Sequence, residues 1–486
     1  MAQFAIALTF TKEAESLLRL AIEIRPDFTP VRIELAKTLE RRGAVSEALD
    51  LLDEVLGREP DHYLAKSLKA ANLSRVGRFD ECLALYEDLL AHHPEAPGLW
   101  TSYGHAMKTM GRSDEGVNAM RRAVEVAPWD GEAWWNVADL KTTRFTQQDV
   151  ELMLEGLNRD SSDKNRVNLH FALGKAFEDL GDREKAFSHY FQGNQLRRQS
   201  LDYDPDEVSD EVSDSSRFFT KAFFEERRGF GSPSPEPIFI LGMTRAGSTL
   251  VEQILSSHSA IEGTKELDYI WLVVREMGRM APGYYRRLAA LSGEQLRAFG
   301  EQYLGLMRSH RHEGRPFFID KMPNNWLHAP LIHLILPNAK IIDVRRHPLA
   351  CGFSNFRQHF ATGQQFTYDL NWFGRFYSDY VRLMAHVDEA LPGRVHRVFY
   401  ERLVSDTEAE VRNLLDYVGV PFEQSCLRFY ETDRAIYTPS SEQVRRPMDP
   451  GKKDDWRPFE QWLDPLKEAL GPVLGAYPNV PDFESD

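Results

Sequence analysis

Three cysteines in 486 residues, Cys82, Cys351 and Cys426, are too few and too far apart for a disulfide framework or a cysteine-based metal site. Long apolar runs are missing too. No stretch approaches the roughly 20 residues that a membrane-spanning helix needs, and the N-terminus lacks the basic-then-apolar pattern of a secretory signal. The expectation is a soluble protein of the reducing cytoplasm. Net positive charge is also absent: a formal charge of −15 argues against a nucleic acid or an anionic membrane as partner, while leaving room for a local basic pocket. What remains is ordinary for a globular chain, 42% hydrophobic and 27% charged, with length for about three domains.

The first 130 residues repeat. Pro26, Pro60, Pro94 and Pro128 recur every 34 positions, as do Gly43, Gly77 and Gly111 and the compact residues Ala14, Ala48, Cys82 and Gly116. A 34-residue unit with a mid-repeat Gly, a small residue five positions later and a closing Pro resembles the tetratricopeptide repeat, two antiparallel helices per unit. The Gly turns the chain between helices, the small residue lets them approach, and the Pro ends the second. Trp100 and Gly104 take the bulky and small positions of the third full pair. The pattern loosens over 140–165 and returns over 167–200, where Gly181 and Ala186 restore the five-residue offset. The reading is an α-solenoid of four to five helix pairs over 1–200. Its concave face suits an extended partner, and the same repeats could equally brace the rest of the chain or form a homodimer.

Residues 201–236 change texture. An acidic, Ser-rich run and a Pro-rich hinge flank one short aromatic helix, and the stretch reads as a solvated linker.

From 237 to 486, strand candidates at 238–241, 316–320, 340–344 and 395–399 alternate with helices near 247–257, 266–279, 294–308, 325–336, 348–359, 370–390 and 406–418. This alternation implies a three-layer α/β domain on a parallel sheet, with ligands at the carboxyl ends of the strands. The first strand runs into Gly242-Met-Thr-Arg-Ala-Gly247-Ser248-Thr249 and then into a helix with Glu252 and Gln253 on its polar side. The glycines permit a tight turn, and the N–H groups opening the helix face an anion. The spacing fits a P-loop, except that Ser248 stands where the lysine of a nucleotide hydrolase belongs. Without that charge, a kinase or nucleotide hydrolase is disfavoured. Arg245 at the crest and the hydroxyls of Ser248 and Thr249 suit a single phosphate beside another anionic group. Lys321 closes the strand at 316–320 and Arg345 and Arg346 follow 340–344. Ser354 lies eight positions past Arg346, which suggests a second phosphate subsite.

Residues 236–470 thereby resemble the sulfotransferases that use 3′-phosphoadenosine 5′-phosphosulfate. The whole chain resembles bacterial tetratricopeptide-repeat sulfotransferases, whose catalytic domain is similar to tyrosylprotein sulfotransferases. The match rests on the Gly242–Leu250 loop, Arg346-His-Pro348 with Ser354, the block from Phe399 to Pro421, and the run Ser440–Pro447 followed by Trp456. The resemblance implies that Arg245, Ala246, Gly247, Ser248 and Thr249 hold the donor's 5′-phosphosulfate. It puts Arg346 and Ser354 on the 3′-phosphate, Tyr400 by the adenine, and Arg446 in the C-terminal lid. Glu266 becomes the general base, with Lys321 and Arg245 stabilising the transferring group, and no metal is implied. Peptide tyrosine is the leading acceptor. The alternatives are a glycan or small-molecule hydroxyl, or a degenerate repeat scaffold that only binds. His258, His347 and His359 are read as structural or solvent-facing. Three departures point to weaker donor binding: Thr244 for the usual Pro, Ala246 for the usual Ser, and Asp455 where a basic residue is usual.

Overall fold

The computed structural model describes residues 11–140, 143–159, 162–279, 283–360, 363–432 and 441–483. The chain forms two compact units, one made of residues up to 143 with 151–160, the other of 144–150 with the residues from 161 on. Among the described residues no helix is long and apolar enough to cross a membrane.

The first unit is a series of paired helices: Thr11–Ile24, Thr29–Arg41, Val45–Arg58, Tyr63–Arg75, Phe79–His92, Pro97–Thr109, Ser113–Val126 and Gly131–Asp139. The periodic glycines serve two different needs. Gly43, Gly77 and Gly111 sit in the turns at φ of 82°, 81° and 84°, and a Cβ on Gly43 would meet nothing within 4 Å. There the left-handed backbone, not space, requires glycine. Gly104 and Gly116 answer to space: a Cβ on Gly104 would lie 2.8 Å from Met120 Cγ and 3.0 Å from the Gly116 carbonyl oxygen. The prolines carry a third regularity. Three of the four leave a carbonyl after a helix end to which the side chain six positions on donates: Trp100 to Pro94 at 2.9 Å, Trp134 to Pro128 at 2.8 Å, and Arg32 to Pro26. Cys82 packs fully buried in this core, and burial pushes its thiol up to about 11, so its place in the repeat is one of volume.

The second unit takes in more than the sequence suggests. The helices Asp163–Asp179 and Arg183–Gln199, expected as the end of the solenoid, pack inside it. Glu178 pairs with Arg357 at 2.8 Å, Asn194 Nδ2 donates to the Phe356 carbonyl at 2.7 Å, and Phe187 stacks between Phe356 and Trp462. The outer face of this pair is aromatic and charged, so it finds its partners far along the chain. The stretch 201–236, expected as linker, holds the helices Pro205–Phe218 and Lys221–Glu226. Most of its acidic residues are exposed, as expected, and two of them are also counter-ions to distant arginines. Asp206 pairs with Arg375 and Glu211 with Arg279, while Asp379 accepts from Ser209 at 2.7 Å.

Five strands form one sheet: β1 Pro237–Gly242, β2 Ile261–Gly263, β3 Phe317–Lys321, β4 Lys340–Arg345 and β5 Val395–Phe399. The order is β2-β3-β1-β4-β5, parallel throughout. β1 lies at the centre and is buried at all six positions, which requires cover on both faces and explains its unbroken apolar run. β2, three residues long, escapes the sequence reading because it is too short to show a period.

Two glycines of the helix Gly293–Arg308 give opposite expectations. A Cβ on Gly300 would lie 2.4 Å from the Ile335 carbonyl oxygen, whereas one on the exposed Gly305 meets nothing within 4 Å. Gly305→Ala is expected to raise stability by roughly 0.5–1 kcal/mol through helix propensity. Gly300→Ala is expected to lower it by about 1–3 kcal/mol through overpacking. Denaturant unfolding of the two variants checks both signs.

Candidate functional site

The site grows from the end of β1. Gly242 leaves the strand at φ 133°, where a Cβ would sit 2.4 Å from the Val344 carbonyl oxygen of β4, so only glycine lets the chain turn here. Arg245 holds the crest at φ 65°, a left-handed conformation unusual for a side chain of its size. Gly247, at φ 109°, caps the helix Ser248–Ser256. The loop is clamped from below. Asn355 Nδ2 donates to the Thr244 carbonyl at 2.8 Å while Thr244 Oγ1 donates to Asn355 Oδ1 at 2.6 Å, and Cys351 Sγ reaches the same carbonyl at 3.3 Å. The first N–H groups of Ser248–Ser256 therefore point out of the sheet from a fixed start.

Three further segments bring charge to this loop. Lys321 ends β3, level with Ile240 of β1. Its ammonium is buried, pairs with Glu266, and lies 3.7 Å from Glu252. Glu252, on the helix Ser248–Ser256, is itself buried, as is its neighbour Gln253, which donates to the Phe429 carbonyl at 2.9 Å. The polar side of the helix is thus covered, and Glu252 is a candidate site residue that the sequence reading missed. Its only signal was its place one turn past Ser248, on the same face.

Arg345 and Arg346, adjacent at the end of β4, part company. Arg345 turns into the core, where Asp343 holds it at 3.0 Å and also accepts from Arg397 at 3.2 Å. Arg346 turns to the loop: Nη1 donates to the Arg245 carbonyl at 3.3 Å, and its guanidinium lies 4.8 Å over the Tyr400 ring. Tyr400 in turn closes on the loop, since a Cβ on Gly247 would meet its ring at 2.9 Å. Arg245 Nε reaches Ser354 Oγ at 3.4 Å. Asp455 completes the set: one oxygen lies 3.5 Å from Arg346 Nη2 and the other pairs with Arg357.

Ten of the eleven expected site residues therefore share one neighbourhood at the carboxyl ends of β1, β3 and β4: Arg245, Ala246, Gly247, Ser248, Thr249, Glu266, Lys321, Arg346, Ser354 and Tyr400. Arg446 stands apart. It is exposed and forms no ion pair among the described residues, while its neighbour Arg445 is half-buried. Ser440, the first residue of the run read as a lid, lies outside the described residues. The three histidines have packing roles. His258 Nε2 donates to the Pro421 carbonyl at 2.8 Å, His347 stacks on Trp456, and His359 stacks on Phe171. Among the described residues no group of three or more His, Cys, Asp or Glu could hold a metal ion.

Against this geometry stand the comparisons with known proteins. Residues 237–424 match the family model described as Sulfotransferase family, and residues 11–71 one described as Tetratricopeptide repeat. The chain carries tetratricopeptide repeats followed by a sulfotransferase-family domain on a parallel sheet. An uncharacterized protein of Aquifex aeolicus is 28% identical over 479 residues, 96% of this chain; the match spans 58% of that relative's length. Protein-tyrosine sulfotransferase A of Caenorhabditis elegans is 26% identical over 231 residues, 45% of this chain and 59% of that protein. A solved sulfotransferase domain from the Curacin Biosynthetic Pathway is 20% identical, covering 51% of this chain and 99% of that one, with a TM-score of 0.37.

Next to Lys321, Asp320 is fully buried, accepts from Tyr303 at 2.7 Å, and leaves its second oxygen without a hydrogen bond among the described residues. Burial pushes its carboxyl up to about 7. A carboxyl raised on folding stabilises below its unfolded value, near 4, and loses that contribution as pH rises through about 7. Asp320→Asn removes this loss. Its melting temperature relative to the native chain is expected to rise between pH 5 and pH 8, and a difference independent of pH would contradict the assignment.

Proposed function

We propose that the sulfotransferase-family domain moves a sulfuryl group from 3′-phosphoadenosine 5′-phosphosulfate to an acceptor hydroxyl, with peptide or protein tyrosine the leading acceptor. One observation carries the reading. The cations Arg245, Lys321 and Arg346 converge with the hydroxyls of Ser248, Thr249 and Ser354 around a helix start that lacks the hydrolase lysine. That donor set fits a ligand with two separated anionic groups. The amides of Ala246, Gly247, Ser248 and Thr249, with Arg245, would hold the 5′ end. Arg346 and Ser354 would hold the 3′-phosphate, Tyr400 would lie against the adenine, and Arg446 would close from the C-terminal segment.

When bound, the donor supplies the electrophilic sulfur and the phosphate leaving group. The chain's own residues do the rest by position and charge. Glu266 takes the proton of the acceptor hydroxyl. Lys321 neutralises charge on the oxygen that leaves, and its contact with Glu266 keeps base and cation together before the acceptor arrives. Buried Glu252 holds Lys321 from the other side. The repeats would recruit the acceptor or a second copy of the chain, and the reaction would belong to the cytoplasm. The tyrosine preference draws on the name of the C. elegans relative and on Glu266; a glycan or small-molecule hydroxyl is the alternative acceptor.

A second reading has its own observation. Asp455 already neutralises Arg346, which favours a repeat scaffold whose transferase domain binds weakly and does not turn over. Calorimetric titration with adenosine 3′,5′-bisphosphate, 5′-AMP and ATP separates the two. The transferase reading expects a clear preference for the bisphosphate; no binding of any of them favours the scaffold. Arg346→Ala should lose that preference, and normal affinity in this variant would break its assignment. Lys321→Ala should abolish transfer with donor affinity kept, and Glu266→Gln should slow it by about 10²-fold or more without weakening donor binding. Asp455→Asn should tighten the bisphosphate by about tenfold, the effect of removing one close like charge.

A further inference from the structure

A second concavity lies at the opposite end of the sheet. Its walls are the segment 229–233 just before β1, 334–338 just before β4 and 391–394 just before β5, with side chains from the helices Lys221–Glu226 and Gly293–Arg308. Because every strand runs the same way, these are the amino ends, roughly 20 Å along the strands from the loop at 243–247. The cavity holds about 600 Å³, the size of a small-molecule site.

Its charge is lopsided. Lys221, Arg227, Arg228, Arg297 and Arg394 line it against one carboxylate, Glu225, in a chain whose net charge is −15. Arg227 is already engaged, pairing with Glu226 at 3.2 Å and donating to the Ala289 carbonyl at 3.0 Å. Among the described residues the other four cations form no ion pair. They come from three separate stretches, 221–228, the helix Gly293–Arg308 and the turn before β5, so no local helix pattern gathers them all, and an entering anion relieves their mutual repulsion. Phe224, Leu334 and Leu391 give the same cavity an apolar floor. Guanidinium groups bind phosphate through paired hydrogen bonds, and a phosphate monoester carries close to two charges at neutral pH.

We infer that this cavity is a binding site for an organic phosphate monoester, its dianionic head among Arg228, Arg297, Arg394 and Lys221 and its apolar body on the floor, separate from the transfer site. The test is calorimetric titration of the whole chain with phenyl phosphate, with inorganic phosphate and phenol as head and body alone. Phenyl phosphate is expected to bind more tightly than either. The double variant Arg297→Ala, Arg394→Ala should weaken it tenfold or more, and Arg346→Ala in the transfer site should leave it unchanged. Both arginines of the double variant are exposed and form no ion pair, so the fold is kept. His333 gives a local signal: burial and Arg394 push its ring down to about 4, and a bound dianion should move its NMR titration upward. No binding of phenyl phosphate, affinity equal to that of inorganic phosphate, or binding lost in Arg346→Ala and kept in the double variant would each overturn the proposal.

Discussion

The architecture of the second unit depends on how the loop at 243–247 is held. A helix start can grip an anion only if its free N–H groups are kept in place, and here that task falls to the reciprocal hydrogen bonds between Thr244 and Asn355. The clamp joins the end of β1 to the helix Pro348–Phe356, which also carries Ser354, and so fixes the loop relative to a second candidate phosphate contact. Thr244, a departure from the family's usual proline, spends its hydroxyl on this clamp. The residue that looks like a loss in the sequence is in the structure a fastening.

Around the clamp, charge is arranged in layers of decreasing constraint. Arg345 is sealed against Asp343 in the core, where a lost partner would leave a buried charge uncompensated. Lys321 sits between two carboxylates, one buried and one half-exposed, and is itself buried. Asp455 lies 3.5 Å from Arg346, too long for a strong hydrogen bond, and that contact is one an entering phosphate must displace. The same carboxylate also engages Arg357, which reaches Glu178 on the helix Asp163–Asp179. A helix pair of repeat-like sequence is thereby wired to the edge of the candidate donor site.

Much of this was legible beforehand. The four longer strands lie within a residue or two of their expected places, and the helices 348–356, 370–390 and 407–418 begin within a residue of where the pattern begins them. The turn glycines of the repeats declare themselves because a left-handed turn admits few other residues. What could not be read was partnership. Glu252 and Gln253 are polar residues of a helix and yet both are buried, Glu252 beside Lys321 of β3 and Gln253 against the Phe429 carbonyl. The acidic run after 201 has the composition of a solvated linker, yet it is helical and two of its carboxylates, Asp206 and Glu211, pair with Arg375 and Arg279 far along the chain.

The sequence by itself determined the local conformations: where strands and helices form, where the backbone must turn left-handed, and which short motif opens an anion site. These follow from side-chain periodicity and from steric limits within a few residues. Only the tertiary structure decided which of two adjacent arginines faces the loop, that Asp455 lies on Arg346, and that four unpaired cations meet at the far end of the sheet. Each of those facts is a distance between segments remote in the chain, set by strand order and helix packing rather than by any local pattern.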